Sequence, residues 1–192
     1  MEYKSHKGFT LVELLISIGI IGLLTGIVLV KYSAFDSTIL LKNSAYEIAL
    51  AIHEAQVKSV SVTYQSSTAD YPFGVTFVPT RKDYTLFRFG HATNPPTFSS
   101  SLSTSLSTST IGRTMKIREV CCLDSGGWDC RSGVTDRLDV SFRRPEYKSL
   151  IEASWCTAPI QGAQIKVDSA NGSENVFVVE VSSLGQISVF KE

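Results

Sequence analysis

The sequence predicts an α+β fold: a long N-terminal helix, transmembrane at first and then a stalk, packed on an antiparallel β-sheet or β-sandwich head. Three features carry that expectation. The run from Phe9 to Val30 is apolar except for Glu13. The stretch from Lys31 to Val62 has neither proline nor glycine and repeats apolar or small residues in steps of three and four. From Phe73 onward, β-branched and aromatic runs alternate with turn-forming residues.

At about 1.5 Å rise per residue, a helix from Phe9 to Val30 reaches about 33 Å, enough to cross a hydrocarbon core about 30 Å thick. Lys4 and Lys7 precede the run and Lys31 alone directly follows it, so the positive-inside bias keeps the N-terminus cytoplasmic and sends the remainder outward. An ordinary secretory signal would be cut after the apolar run, but the candidate near Ala34 has Tyr32 where a small residue is required. Glu13 is expensive in this setting. A carboxylate costs about 2.5–3.5 kcal/mol at a span's centre and less near the interface, so it needs a partner or must reach the headgroups. Gly8 offers a protease an unobstructed backbone. Gly19, Gly22 and Gly26 have the spacing that lets helices approach closely in a membrane.

The run Lys7-Gly8-Phe9-Thr10-Leu11-Val12-Glu13-Leu14-Leu15 resembles the leader junction of type IV prepilins and type II secretion pseudopilins. The resemblance implies cleavage between Gly8 and Phe9, retention of the apolar run, and N-methylation of Phe9 by the prepilin peptidase. It gives Glu13 an assembly role, pairing with the Phe9 amine of a neighbouring subunit. Further expected partners are the chain itself or other pilins in a helical filament, with an inner-membrane platform and a motor ATPase acting indirectly. No phosphate-binding loop is present in the sequence, so the motor must be separate. Many major pilins have a kinking proline late in this segment. Here Val30 stands near that place and the first proline is Pro72, a departure shared with minor pilins and pseudopilins. The expected organisation is a leader at 1–8, a membrane and filament-core helix at 9–30, its amphipathic continuation at 31–62, and a β-rich head at 63–192. The precursor would sit in the bacterial cytoplasmic membrane, N-in and C-out, before joining a cell-surface or periplasmic filament.

In the second segment Leu41, Ala45, Ile48, Ile52, Ala55, Ser59 and Val62 define one helical face, and Lys42, Glu47, Glu54 and Lys58 supply the polar side. A polar break at Gln65 to Asp70 follows. Phe73 to Val78 and Tyr84 to Phe89 flank a turn at Pro79 to Asp83 and predict a hairpin. Further strands are expected at Met115 to Cys122, Leu138 to Phe142, Gln164 to Val167, Val176 to Val181 and Gln186 to Phe190, with a last turn at Ser183 to Gly185. Thr97 to Thr110, almost all serine and threonine, reads as an exposed mobile loop. The hairpin and the closing Val178 to Ile187 segment are similar to the head of the minor pilin and pseudopilin group named after general secretion protein H and fimbrial protein T. Some DNA-uptake members of that group carry arginines after the final glycine. Gln186, Ile187 and Ser188 follow Gly185 here, which disfavours DNA binding by that route.

Cys121, Cys122, Cys130 and Cys156 lack the paired short spacing of zinc sites, and in an exported head they suggest disulfides. Adjacent cysteines in a strand face opposite ways and rarely bond each other, leaving Cys121 with Cys130 and Cys122 with Cys156, or the reverse. The 18 basic and 18 acidic residues balance, so no overall field attracts nucleic acid. His53 and His91 have no partner at metal-ligand spacing, and Asn171-Gly172-Ser173 is a glycosylation match of low weight. The expectation is a structural subunit without cofactor, metal or catalytic residues, not an enzyme. The alternative from another class is a membrane-anchored binding module, an adhesin or DNA receptor at a filament tip.

Overall fold

The computed structural model describes residues 8–61, 72–89, 103–112, 114–142, 148–156, 159–169 and 175–192, with side chains of the helix outside 30–37. The leader residues 1–7, the polar break at 65–70, Val62, His91 and Asn171 to Ser173 lie outside them. One helix, α1, runs from Leu11 to Ser61, and ten strands follow. The chain divides into two units, Met1–Ile39 and Leu40–Glu192.

In the first unit, α1 has no interior proline, and its three glycines at 19, 22 and 26 are helical. Polar side chains in the apolar run satisfy themselves on the helix backbone. The hydroxyls of Ser17 and Thr25 donate to the carbonyls of Glu13 and Ile21 at 2.8 and 2.7 Å. That back-bonding suits a side chain with no water to turn to.

In the second unit, the remainder of α1 buries the predicted stripe: Leu41, Ala45, Ile48, Ile52, Ala55 and Ser59 are all buried. Each large aliphatic side chain removed from water in this way contributes about 1.5–3 kcal/mol. On the exposed side Glu54 and Lys58 form an i,i+4 ion pair at 2.6 Å, worth only about 0.3–0.5 kcal/mol.

The strands form two antiparallel five-stranded sheets. The first contains β1 (Phe73–Phe77), β2 (Asp83–Phe89), β3 (Ser103–Thr110), β6 (Leu138–Phe142) and β7 (Ser149–Ala153), in the order β3-β2-β1-β6-β7. The second contains β4 (Met115–Asp124), β5 (Gly127–Arg131), β8 (Gly162–Ser169), β9 (Val176–Ser182) and β10 (Ile187–Lys191), in the order β10-β9-β8-β4-β5. Alternation along the strands sends Phe73, Val75, Phe77, Val140 and Phe142 of one sheet into the same core as Ile117, Val120, Ile165, Val167 and Val179 of the other. The buried stripe of α1 joins that core, so the head is a helix packed with a β-sandwich.

Among the described residues, backbone hydrogen bonds link the sheets at two places. Thr80 in the β1–β2 turn donates to Ile117 O at 2.7 Å, and Ile117 N donates to Arg81 O at 3.0 Å. Ser149 at the start of β7 donates to Ser183 O through its backbone at 3.2 Å and to Ser182 O through its hydroxyl at 2.7 Å. Thr80 holds a positive φ of 65°, uncommon for a β-branched residue, and its link to β4 supports that conformation.

One expectation is overturned. Ser103 to Thr110, within the segment read as a mobile loop, is strand β3, paired with β2 in regular register from Asp83↔Thr110 to Leu86↔Ser107. Serine and threonine runs read as low complexity, but β2 supplies the hydrogen-bonding partner that makes this one a sheet edge. The expected hairpin and the five further predicted strands are present, while β5 and β7 were not foreseen. Gly127-Trp128-Asp129-Cys130-Arg131 and Ser149-Leu150-Ile151-Glu152-Ala153 are short and carry few β-branched residues, and pairing with β4 and β6 makes them strands.

Candidate functional site

The N-terminal motif is built around the start of α1. Gly8, Phe9 and Thr10 are exposed and lie outside the helix, which begins at Leu11. Nothing lies within 4 Å of the position a Cβ on Gly8 would take, and Phe9 is 81% exposed. The expected scissile bond therefore lies in accessible, non-helical backbone, the form a protease can hold extended. One turn later, Glu13 N–H donates to the Thr10 hydroxyl at 3.3 Å. Thr10 is the N-cap and Glu13 the third helical residue, the Thr-x-x-Glu arrangement of a capping box. The reading of the sequence gave Thr10 no role, although the threonine–glutamate spacing ahead of an apolar run was available as a signal. Glu13 also sits in the first turn, where a negative charge meets the positive end of the helix dipole.

Beyond the cap, Leu11–Leu29 has a mean hydropathy of 2.4 and none of it is buried. Among the described residues this is the one helix long and apolar enough to cross a membrane. Leu14, Leu15, Ile18, Ile21 and Leu24 all remain exposed. So large an apolar surface on a single chain calls for lipid or other helices to cover it. Residues 3–29 match the family model described as the prokaryotic N-terminal methylation motif. The N-terminus is therefore similar to that of prepilin-type proteins. No curated protein and no solved structure matches the chain. The motif and the apolar helix fit a membrane-anchored prepilin precursor.

Elsewhere in the chain the four cysteines form Cys121–Cys130 and Cys122–Cys156 disulfides, the first of the two connectivities left open by the sequence. Cys121 and Cys130 are directly opposed across β4 and β5. Cys122, on the other face, belongs to the core, and Cys156 lies just beyond β7, so its bridge ties one sheet to the other. Glu119, Cys121 and Cys130 form a group close enough to suggest a metal. Both sulfurs are committed to the disulfide, leaving a single carboxylate to offer.

Glu119 has a different partner. Lys166 lies between it and Glu192, at 3.0 and 2.7 Å. Burial alone would lower the lysine pKa, but the hydrogen bonds its ammonium donates to Glu192 and Glu119 outweigh it and the net shift is upward.

A surface cavity of about 480 Å³ opens at the β6–β7 side of the first sheet, lined by Arg81, Arg137, Asp139 and Glu152 among others. Arg137 Nε approaches the buried Asp139 carboxylate at 3.2 Å. Asp139 and Glu152 are cross-strand neighbours. Burial, and then the Asp139 charge, push the Glu152 carboxyl above its ordinary value. This arrangement has the form of a structural ion pair beside a reluctant acid. His53 contacts Gln56 at 3.2 Å on the exposed side of α1.

Proposed function

We propose that this chain is a filament subunit, a pilin, minor pilin or pseudopilin, that is cut between Gly8 and Phe9 and assembles through its N-terminal helix into a type IV pilus or type II secretion pseudopilus. The observation that carries the reading is the methylation motif placed directly before a wholly exposed apolar helix whose charged residue is Glu13. Cleavage converts an amide into the Phe9 amine, a cation at the head of an apolar rod. Glu13 lies four residues further along, about 6 Å by helix rise once the helix extends back to the freed Phe9. Pairing with the Phe9 amine of an adjacent subunit neutralises both charges in lipid and sets the axial register, since any other offset leaves both unmatched.

The same reading places the precursor N-in and C-out in the cytoplasmic membrane, makes the prepilin peptidase its processing partner, and leaves the motor ATPase and platform as indirect ones. It assigns no catalytic chemistry to the head. The absence of proline before Pro72 favours a minor pilin or pseudopilin, the likeness to the general secretion protein H and fimbrial protein T group points the same way, and Gln186, Ile187 and Ser188 argue against a DNA receptor.

Mass spectrometry of the native N-terminus tests the proposal. The expected mature chain begins at N-methylated Phe9, and Gly8→Trp remains uncut. A wild-type chain beginning near Phe35 would instead identify an ordinary signal peptide.

A further inference from the structure

Four strands stand at the edges of the two sheets: β3, β7, β5 and β10. An edge exposes a row of unpaired N–H and C=O groups, and proteins usually blunt it with charge, proline or a bulge. β5 carries Asp129 and Arg131, β7 carries Glu152, and β10 carries Lys191. β3 reads Ser-Thr-Ser-Leu-Ser-Thr-Ser-Thr, with no charge and no proline, and seven of its residues are exposed. It pairs with β2 alone among the described residues. A bulge at Leu106 interrupts the pairing with β2 and leaves Ser107–Thr110 in unbroken register against Asp83–Leu86.

That same stretch borders a groove of about 220 Å³ running between β3 and α1. Ser107 and Ser109 line one side, Tyr84 contributes from β2, and Glu47, Leu50 and Glu54 line the helix side. Leu50 is 66% exposed there. Glu47 and Glu54 are two helical turns apart on one face, so both carboxylates look along the groove. Lys58 pairs with Glu54 at 2.6 Å, whereas Glu47 has no ion-pair partner among the described residues. Burial raises the pKa of the Tyr84 phenol, a hydrogen bond with Ser109 opposes the rise, and the nearby Glu47 and Glu54 charges add to it.

We propose that Ser107–Thr110 of β3 is a docking edge that accepts an extended segment of another polypeptide, with an alternate lysine or arginine of that segment entering the groove between Glu47 and Glu54. Main-chain hydrogen bonds would supply the affinity and the glutamates the selectivity. Alternate side chains of an added strand fall on the groove side, where an aliphatic stem packs on Leu50 and its cation meets the carboxylates. The proposal concerns the head alone and stands apart from cleavage and polymerisation.

The test is amide hydrogen exchange on the full chain in detergent, with a probe peptide of alternating lysine and valine matched in length to β3. The expected result is about tenfold slower exchange at Ser107–Thr110, saturable with peptide. A glutamate–valine peptide should give no protection. Glu47→Gln with Glu54→Gln, both at exposed helix positions, should remove the difference between the peptides while circular dichroism stays unchanged. Absence of protection by the lysine peptide would overturn the docking edge. Equal protection by both peptides on the wild-type chain would overturn the role of the glutamates.

Discussion

Thr10 and Glu13 place two roles at one helix start, a cap made by the Glu13 backbone N–H and a charge on its side chain. The Thr10 hydroxyl accepts from Glu13 N–H, and a glutamine at position 13 can keep the capping arrangement while losing the charge. The two roles therefore separate experimentally. Thr10→Ala should cost about 1 kcal/mol at the helix end, seen as faster amide exchange in the first turn, and Thr10→Ser should restore it. Glu13→Gln should speed that exchange less than Thr10→Ala does, losing only the dipole contribution of about 0.3–1 kcal/mol, and sharply lower filament yield. A normal yield from Glu13→Gln would remove ion pairing as the register device. The sequence made Glu13 conspicuous because a charge in an apolar run is costly. Thr10 escaped because threonine is ordinary there, and its use depends on where the helix starts.

Among the elements, β1 and β2 depend on a glycine whose importance is geometric. A Cβ on Gly74 would lie 2.6 Å from the Phe87 ring, 2.8 Å from Ser141 Cβ and 2.9 Å from Val140 O. The ring could yield, but the β6 backbone cannot move without disturbing its pairing with β1 and β7. Gly74→Ala should therefore destabilise the head by at least about 2 kcal/mol, measured by denaturant unfolding. The hairpin itself was legible, because Phe73 to Val78 and Tyr84 to Phe89 are dense in strand-forming residues around a proline turn. The buried stripe of α1 was legible for a similar reason: Leu41 to Ser59 keeps its period, and every described member is buried. β3, β5 and β7 were hidden because their identity comes from neighbours. Ser107 to Thr110 becomes a strand through β2, just as Trp128 is placed by Leu123 across the β4–β5 pair.

At the scale of the molecule, the two disulfides differ in what they close. Cys121–Cys130 spans a sequence separation of 9 and Cys122–Cys156 one of 34. Loop-closure entropy then assigns about 2.6 kcal/mol to the first and about 3.8 kcal/mol to the second. Replacing the Cys122 and Cys156 pair with serine should lower the unfolding midpoint more than replacing Cys121 and Cys130. Equal losses would show that the inter-sheet tie adds nothing beyond the hairpin tie.

The head should also respond to pH through Glu152. Its carboxyl is raised above the ordinary 4.5 by burial and then by Asp139, so the folded state holds the proton more tightly than the unfolded chain. The resulting stabilisation is complete below about pH 4.5 and fades as pH climbs through the folded value. Thermal melts from acid to neutral pH should show this decline in the wild type. Glu152→Gln should flatten it and melt higher at neutral pH, since no charge is then forced into a half-buried place beside Asp139.

The adjacency of Cys121 and Cys122 gives the oxidation step a choice with lasting effect. If Cys122 reached Cys130 first, the β4–β5 ladder would slip by one residue, and a slip of one turns every side chain to the opposite face. Leu123 and Trp128 would trade places with their neighbours, and Cys156 would be left to a sulfur aimed away from it. The pairing present here thus preserves both the β4–β5 register and the tie between the sheets, and a head oxidised the other way should carry a shifted β5.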